Sequence, residues 1–411
     1  MAAVAVVGGG LIGSAAAAWL LADGFDVTLF ERDPDGRPAS TGNAGVISLP
    51  EISPLARPGT LMSVPGWLMD PLGPLSLRAR DLPALTPWLA RFALSARPSQ
   101  VERSTVALGF LMKTALADHQ ELARRAGLGT TMRRTGALYL YDTDPGFASA
   151  LGEWKERARH GVDYREVSVA EARAMVPALK GGFARALFTP ESWTVSSPIG
   201  ILRALRAAVG AQGRLATGAV ETIRREANGV TVVTANGDEQ PFDRVIVAGG
   251  IWSRDLVRGL GLYVLLEAER GYNTTFPSPG FDIEMPVFAT DHGFVATPLA
   301  DGLRVGGAVE LAACDAPPNY ARAGAMCTKM RRYLPDLPEA GGTEWMGCRP
   351  STPDSLPVIG PHPKDPRIVF AFGHGHLGLT LSAVTARHVA SLIGGRARER
   401  NLKPFGIERF Q

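Results

Sequence analysis

The feature that most constrains this chain is a glycine-rich turn that follows a short apolar run near its N-terminus. The run Val4-Ala5-Val6-Val7 predicts a buried strand, and the turn after it carries Gly8, Gly10 and Gly13 in the spacing G-x-G-x-x-G. In such a turn the first glycine permits the tight bend and the second lets the backbone approach a pyrophosphate. The third glycine allows close packing of helix on strand, and the helix N-terminus faces the negative charge. The spacing therefore indicates a dinucleotide site.

The residues that follow the turn are in register with this interpretation. An alanine-rich stretch over residues 14–22 predicts a helix, and residues 27–30 predict a second strand that ends at Glu31. Glu31 lies 18 residues after Gly13 (31 − 13 = 18), near the distance at which an acid meets an adenosine ribose. We therefore predict a dinucleotide-binding βαβ unit, against the alternative of a purely structural one.

The uncharged N-terminus, Met1 to Ala22, also resembles a signal peptide or a membrane span. It lacks a basic leading region, however, and Gly8, Gly10 and Gly13 interrupt the apolar run. The dinucleotide interpretation accounts for each of those glycines. No other uncharged run reaches spanning length, so we predict no integral membrane segment.

Length and composition restrict the broad class of protein. A chain of 411 residues is too long for one ordinary core, so we expect two domains. The small net charge of +3 gives no reason to expect a nucleic-acid partner, and no metal site is predicted. Cys314, Cys327 and Cys348 are odd in number and form no C-x-x-C pair, which favours reduced cysteines in a cytoplasmic protein.

Three further segments combine a predicted strand or turn with glycines. A loop over residues 40–45 has small residues suited to a backbone that lies against a flat or phosphorylated ligand, although an ordinary glycine turn would look the same. Residues 243–250 predict a buried strand that ends in glycines. Residues 367–372 predict a last strand, which runs into a glycine-rich turn over 373–380 and a helix to about residue 394. The cofactor domain is therefore predicted to be discontinuous in sequence.

The remaining segments predict a second domain and a covering region. Residues 271–276, 288–297 and 303–309 predict strands of a largely antiparallel sheet. The proline-rich stretch from residue 50 to 98 could be a lid over substrate, an apolar and basic patch at a membrane surface, or ordinary helical packing. Its aromatic and basic residues are Trp67, Trp88, Phe92, Arg78, Arg80 and Arg91.

Taken together, five stretches of the chain resemble the D-amino acid oxidase and dehydrogenase family of FAD enzymes, most closely its bacterial D-amino acid dehydrogenases. They are residues 8–13 with Glu31, 42–45, 248–253, 349–360 and 373–380, in the family's order. The resemblance implies a mixed fold, α/β with α+β: a discontinuous Rossmann-like FAD-binding domain and a second, mostly antiparallel substrate domain. We assign residues 1–85, 160–255 and 350–411 to the first domain, and 86–159 and 256–349 to the second.

The resemblance also implies which residues bind FAD. The pyrophosphate would lie against the first glycine turn, the ribose against Glu31, the adenine against Val220, and the flavin N1–O2 edge against the start of the C-terminal helix. A helix N-terminus there would stabilise the negative charge of a reduced flavin. The expected cofactor residues are Gly8, Gly10, Leu11, Ile12, Gly13, Glu31, Arg32, Ser40, Gly42, Asn43, Ala44, Gly45, Val220, Ala248, Gly249, Trp252, Gly375, His376, Gly378, Leu379 and Thr380.

Four residues are candidates for the substrate site. Arg349 is the first, because the family places an arginine of an Arg-Pro pair against the substrate carboxylate and a guanidinium matches a carboxylate with two hydrogen bonds. Its alternative is a salt bridge to Asp354. Tyr272 would line the amino acid pocket or pack in the sheet, and Arg270 would be a second carboxylate clamp or a surface charge. His374 would contact the substrate and could help to remove the amine proton.

The implied reaction is hydride transfer from the substrate Cα to flavin N5, giving an imino acid that hydrolyses to a 2-oxo acid. We expect non-covalent FAD, although Cys348 lies where some relatives attach the flavin. The expected substrate is a small D-amino acid, including cyclic ones such as D-proline or D-hydroxyproline. The electron acceptor would be oxygen, a quinone or a dye, with peripheral contact to the inner face of the membrane as an option, and the oligomeric state is open.

Three alternatives stay open at the level of sequence. The first is oxidation of an N-methyl or other secondary amine, as in sarcosine oxidation. The second is an NADP reductase, although Glu31 would repel a 2′-phosphate and the C-terminal glycine turn would have no role. The third is a non-catalytic flavoprotein subunit of a larger complex.

Overall fold

The computed structural model describes residues 1–70, 73–129, 132–396 and 400–411. Its strands in chain order are β1 (Ala3–Val7), β2 (Asp26–Glu31), β3 (Val46–Ile47), β4 (Leu75–Leu77), β5 (Met132–Arg134), β6 (Ala137–Tyr141), β7 (Arg165–Val167), β8 (Arg185–Thr189), β9 (Trp193–Val195), β10 (Arg214–Thr217), β11 (Val220–Glu226), β12 (Gly229–Thr234), β13 (Glu239–Phe242), β14 (Arg244–Val247), β15 (Glu267–Phe276), β16 (Val287–Ala289), β17 (Phe294–Leu299), β18 (Gly302–Leu311), β19 (Thr343–Ser351), β20 (Val358–His362) and β21 (Asp365–Phe372).

The helices are longest in the first half of the chain and at its end. In chain order they are α1 (Leu11–Ala22), α2 (Pro58–Met69), α3 (Leu82–Ser95), α4 (Pro98–Arg125), α5 (Asp144–Arg159), α6 (Val169–Met175), α7 (Pro198–Gln212), α8 (Ser253–Gly259), α9 (Ala321–Met330) and α10 (Gly378–Ile393).

A six-stranded sheet forms the first layer, in the order β10-β2-β1-β14-β21-β20. All of its pairs are parallel except β20 with β21. Strand β1 is apolar and lies at the centre, so its side chains are buried on both faces, as expected of a parallel sheet. Because its strands come from the N-terminus, the middle and the C-terminus of the chain, the predicted discontinuous Rossmann-like domain is confirmed.

A nine-stranded sheet forms the second layer, in the order β19-β15-β18-β17-β16-β6-β8-β7, with β4 paired to β18. It is largely antiparallel, as predicted, but β16 pairs with β6 and β4 with β18 in parallel. The single strand predicted over residues 288–297 is wrong. A turn at Thr290–His292, closed by Gly293 in the left-handed region (φ 69°), splits it into the hairpin β16–β17.

The packing of some elements differs from the domain ranges assigned from sequence. Strands β4, β7 and β8 join the nine-stranded sheet, although their residues lie in ranges assigned to the cofactor domain. Helix α4, assigned to the substrate domain, instead packs against α1 and α10 in the core of the first layer. The exact domain boundaries therefore remain a prediction.

The proline-rich stretch folds into α2 and α3 beside the second sheet. Trp67, Trp88 and Phe92 line the central cavity described below, and Trp88 donates its indole N–H to the carbonyl of Ser351 (3.1 Å). Of the predicted basic patch, Arg78 is bound to Glu310 (2.8 Å) and only part of the patch faces solvent. Among the helices of the described ranges, none has both the length and the apolar character required to cross a bilayer.

Candidate active site

A large cavity, of about 1190 Å³, runs from the glycine turn after β1 to the face of the nine-stranded sheet. We call it the central cavity. It is bounded by the carboxyl ends of β1 and β14, the loop over residues 40–45, the start of α10, and strands β15, β18 and β19. Carboxyl ends of parallel strands are where open α/β sheets bind ligands, so the fold places this cavity where a cofactor is expected.

The three glycines of the first turn each have a distinct structural reason. Gly8 has φ 109°, and a Cβ there would lie 2.5 Å from the carbonyl oxygen of Ala248. A Cβ on Gly13 would lie 1.9 Å from the carbonyl oxygen of Gly8, so this position sets the close packing of α1 on β1. A Cβ on Gly10 would meet no protein atom within 4 Å and would point at the cavity. The turn therefore leaves its backbone open for the close approach of a pyrophosphate.

Glu31 lies at the cavity wall at the end of β2, but it already has protein partners. Its Oε1 accepts from the backbone N–H of Asp33 (3.0 Å), and its Oε2 accepts from Arg206 of α7 (2.8 Å). Arg206 also donates to the carbonyl oxygens of Gly9 and Pro34 (both 2.8 Å). Arg206 thus holds the glycine turn and the acid together, and the sequence analysis missed it because nothing in its linear position indicates this contact.

At the end of the cavity near Val220, Arg32 and Trp252, two of the predicted cofactor residues, form a flat wall. The guanidinium of Arg32 lies 3.9 Å from the ring centroid of Trp252, in cation–π contact. Val220 at the start of β11, Ala248 and Gly249 also line this end. An adenine ring would find apolar and planar surfaces here.

The loop over residues 40–45 is held in place by groups from distant parts of the chain. Ser40 Oγ accepts from the N–H of Leu11 (3.4 Å), and Asn43 Oδ1 accepts from the N–H of Gly45 (2.8 Å). Arg304 of β18 donates to the carbonyl oxygens of Thr41 (3.0 Å) and Asn43 (2.7 Å). Arg304 is a second positioning residue that the sequence analysis missed.

Gly42 of this loop makes room for a tryptophan of the second sheet. A Cβ on Gly42 would lie 2.0 Å from the ring of Trp345 on β19. Trp345 lines the cavity, and its indole N–H has no hydrogen-bond partner among the described residues. Ala44, beside it, also lines the cavity.

The glycine turn before α10 closes the inner end of the cavity. Gly375, His376, Gly378, Leu379 and Thr380 all line it. Thr380 Oγ1 accepts from the N–H of Ser48 (3.0 Å), which ties the start of α10 to β3. Below this turn, His119 Nε2 lies 3.0 Å and 3.1 Å from the carbonyl oxygens of Leu379 and Thr380, so the proton must reside on that nitrogen.

His374 and His376 lie in different surroundings. His374 is buried with Nε2 2.9 Å from Thr385 Oγ1, and burial lowers its pKa to about 3. The pKa of His376 is also lowered by burial, but Glu269 and Glu51 act to raise it and Arg349 to lower it. His376 is therefore the histidine near the charged side chains of the cavity, whereas His374 is held against α10.

Arg349 lies on β19 with its guanidinium over Gly271 of β15. A Cβ on Gly271 would lie 2.3 Å from Arg349 Nη2, so the glycine is what leaves space for this side chain. Among the described residues it makes only two hydrogen bonds, both long at 3.5 Å, to the carbonyl oxygens of Ala308 and Gly307. Burial lowers the pKa of Arg349, and the charge of Glu269 acts in the opposite direction.

No carboxylate of the described residues forms an ion pair with Arg349. Asp354, its predicted alternative partner, is instead bound by Arg409 (Nε to Oδ2, 2.8 Å). The predicted salt bridge between Arg349 and Asp354 is therefore wrong. A planar guanidinium can bind an anion with two hydrogen bonds, so Arg349 remains the candidate residue for a carboxylate.

Arg270 and Tyr272 belong to a different cluster, on the other face of β15. Arg270 is fully buried, does not line the cavity, and pairs with Glu310 Oε2 (3.2 Å). Tyr272 borders the cavity, but its hydroxyl donates to the same Oε2 (2.5 Å) and accepts from the N–H of Asn319 (3.1 Å). Arg349 therefore lines the cavity without an ion pair among the described residues. The guanidinium of Arg270 and the hydroxyl of Tyr272 instead contact Glu310.

The cysteines differ from the sequence expectation. Cys314 and Cys348 form a disulfide, and only Cys327 is free and buried. The prediction of three reduced cysteines is therefore wrong for this pair, which joins the end of β18 to β19. With its sulfur in a disulfide, Cys348 has no thiol to offer to a flavin.

The cavity fits a flavin dinucleotide on two observations. The backbone at Gly10 is open to the cavity, and a planar surface lies at the Arg32–Trp252 end. The residues that would hold the cofactor come from the glycine turn, the loop over 40–45 and the start of α10, as predicted from sequence. FAD supplies a two-electron acceptor for hydride when it is bound.

Comparisons with known proteins agree with this architecture. The family model described as FAD dependent oxidoreductase (DAO) matches residues 3–392. The D-amino-acid oxidase of Bradyrhizobium diazoefficiens is 36% identical, over 99% of this chain and 98% of that protein. The D-amino acid dehydrogenase of Paramagnetospirillum magneticum is 31% identical, also over 99% and 98%.

Solved structures show the same fold at lower identity. Glycine oxidase from Geobacillus kaustophilus superposes with a TM-score of 0.75 at 24% identity, over 99% of both chains. L-proline dehydrogenase from P. horikoshii superposes with a TM-score of 0.74 at 19% identity, over 100% of this chain and 97% of that one. This chain belongs to the D-amino acid oxidase (DAO) family of FAD-dependent oxidoreductases, and its cofactor is FAD.

Proposed function

We propose that this enzyme oxidises a small D-amino acid and that Arg349 binds the substrate carboxylate. The observation that carries the proposal is the guanidinium of Arg349, which lies at the cavity wall over Gly271 without an anionic partner in the described chain. A planar guanidinium matches a carboxylate with two parallel hydrogen bonds. The D configuration is taken from the names of the two relatives above 30% identity.

The protein contributes binding, orientation and exclusion of water, while FAD supplies the redox chemistry. Arg349 fixes one end of the substrate, and β15 and β19 form a rigid floor beneath it. Holding the Cα–H in one orientation converts an encounter into a reaction within a complex, which can account for much of a rate enhancement. The product would be an imino acid that water hydrolyses to a 2-oxo acid and ammonia.

Mixing the oxygen-free holoenzyme with single amino acids tests the proposal. D-amino acids are expected to bleach the visible flavin absorbance, while their L enantiomers leave it unchanged. Glycine, sarcosine and L-proline belong in the same panel, since they represent the alternative substrate classes. Bleaching by L-amino acids alone, or by none of the panel, would contradict the proposal.

We propose a preference for small, neutral or cyclic substrates such as D-proline and D-hydroxyproline. The charged groups on the far wall of the cavity are already paired: Arg157 contacts Glu51 (3.3 Å) and Glu153 (2.7 Å), and Arg57 also contacts Glu153. A cationic side chain would therefore meet no free acid there. Rates for D-proline and D-alanine above those for D-arginine and D-lysine are the expected result.

The electron acceptor is proposed to be oxygen, a quinone or a dye, since relatives carry both oxidase and dehydrogenase names. Helix α2 has no charged residue and exposes Met62 and Met69 by 78% and 82%, which supports peripheral contact with a membrane. Reoxidation rates of the reduced enzyme with each acceptor, with and without lipid vesicles, separate these options.

A further inference from the structure

Glu269 is a buried carboxylate beside Arg349 that the reaction described so far does not use. The two residues are directly opposite each other in the antiparallel pair β15–β19. Side chains at opposite positions project from the same face of a sheet, with Cβ atoms roughly 4.5–5.5 Å apart. Both line the central cavity, and Glu269 is only 5% exposed.

Despite this closeness, the two side chains do not pair with each other. The guanidinium of Arg349 extends along the sheet over Gly271. The carboxylate of Glu269 has neither a hydrogen bond nor an ion pair to any residue within the ranges that the structure describes. It nevertheless lies near enough to influence the pKa values of Arg349 and His376.

A buried acid without a partner is costly and therefore unusual. The other buried acids of the second layer have partners; for example, Glu310 is held by Arg78, Arg270 and Tyr272. Glu267, two positions along the same strand and on the same face, is paired with Arg254 (3.0 Å). Glu269 thus differs from its neighbours in lining the cavity without an ion pair or a hydrogen bond to a described residue.

We propose that Glu269 binds the ammonium group of the substrate while Arg349 binds its carboxylate. An α-amino acid carries a carboxylate and an ammonium group on the same carbon atom. Strands β15 and β19 present the complementary charges, Glu269 and Arg349, side by side. This assignment rests on the proposed function and makes Glu269 the residue that selects amino acids over simple carboxylates and 2-hydroxy acids. A hydrogen bond to a charged group predicts a preference of about 10- to 100-fold.

Two unreactive ligands of the same shape test this assignment on the holoenzyme. 2-Methylalanine carries both charges, and 2,2-dimethylpropanoate has a methyl group in place of the ammonium; neither has a hydrogen on Cα to lose. Binding of each is measured by isothermal titration calorimetry. The wild-type enzyme is expected to bind 2-methylalanine about 10- to 100-fold more tightly.

Three variants then locate the source of the preference. E269Q should lose it while still binding 2,2-dimethylpropanoate, E269D should keep part of it, and the matched control E267Q should keep all of it. With a reactive D-amino acid, E269Q should raise KM more than it lowers kcat. Equal affinity of the wild-type enzyme for the two ligands, or a preference that survives in E269Q, would overturn the assignment.

The wild-type ligand pair decides the question even if E269Q fails to fold with flavin. The outcome is also separable from the proposed function. If D-amino acids bleach the flavin but the two ligands bind equally, the enzyme's function stands and Glu269 has no part in it. If neither amino acids nor carboxylates bind, Arg349 and the proposed function fail together.

Discussion

The two faces of strand β15 carry similar residues with opposite roles. On the inner face, which points away from Arg349, Arg270 forms an ion pair with Glu310 (3.2 Å), and the hydroxyl of Tyr272 donates to the same carboxylate. On the cavity face, Glu269 lies opposite Arg349, and neither forms a close ion pair within the described residues. The difference is that the inner-face charges form an ion pair within the protein, whereas the cavity-face charges stay apart beside the space where we propose that substrate binds.

The largest expected effect is a loss of stability when Arg270, on the inner face, is replaced. Arg270→Met removes one partner of a buried ion pair, and such changes cost about 3–5 kcal/mol of unfolding free energy. Urea unfolding measures this loss. KM for the D-amino acid should stay near the wild-type value in the folded fraction, because Arg270 does not line the cavity. A raised KM with unchanged stability would reverse the roles that we assign to the two faces.

Arg349→Met should have the converse effect on the cavity face. Loss of the carboxylate contact is expected to lower kcat/KM by about 10²–10³-fold, since truncating one partner of a buried charged pair costs 2–5 kcal/mol. The unfolding free energy should change little, because no protein carboxylate is left without its partner. Steady-state kinetics and urea unfolding on the same preparation compare the two effects. Arg349→Lys, as a control, should recover only part of the activity.

Tyr272→Phe tests the inner face with a smaller change. The hydroxyl donates to Glu310, and a hydrogen bond to a charged group contributes about 1.5–3 kcal/mol to stability. The variant should unfold at lower urea concentration, with KM and kcat close to those of the parent. A specific rise in KM would instead indicate that the hydroxyl contacts the substrate, as the sequence first predicted.

Gly271→Ala tests the cavity face by geometry alone. The new Cβ would lie 2.3 Å from Arg349 Nη2, so the guanidinium has to move. We expect KM to rise by about tenfold, the equivalent of about 1.4 kcal/mol. Gly59→Ala is the control, because a Cβ there meets no atom within 4 Å. Equal KM values in the two variants would show that substrate binding does not depend on the position of the Arg349 guanidinium.

The smallest effect is expected for His374, in the pH dependence. Its pKa is lowered from 6.5 to about 3 by burial, so the folded protein keeps it neutral while the unfolded chain binds a proton below about pH 6.5. Stability that depends on this histidine is present above that pH and is lost as pH falls from 6.5 towards 3. The free energy of unfolding of His374→Asn should therefore decrease less steeply as the pH is lowered. The pH profile of its kcat/KM should show the same ionisations as that of the parent. A missing ionisation would restore His374 as the group that removes the amine proton.

The cofactor half of the molecule could be predicted from sequence because its signals are local. Gly8, Gly10 and Gly13 are a few residues apart, and the backbone around Gly8 and Gly13 leaves no room for a side chain. The strand, turn and helix that follow are equally local. For this reason the residues themselves predict a dinucleotide-binding fold, and the family resemblance implies that the dinucleotide is FAD.

The substrate half could be predicted only in part, because its contacts depend on register between distant strands. The sequence made Arg349 the first candidate and left Arg270 and Tyr272 open, and alternation along β15 puts these two on the face away from Arg349. Glu269 was missed for the same reason, although counting two residues from Gly271 would have placed it on the cavity face. Arg206, Arg304 and the Cys314–Cys348 disulfide join segments that no local pattern connects.

The measurement that tests the central claim most directly is the dissociation constant for D-alanine, taken from anaerobic flavin reduction in the wild-type, Arg349→Met and Arg270→Met holoenzymes. We predict that Arg349→Met loses saturable reduction, while Arg270→Met binds D-alanine as the wild-type enzyme does. Saturable reduction of normal affinity in Arg349→Met, with binding lost in Arg270→Met, would contradict the account.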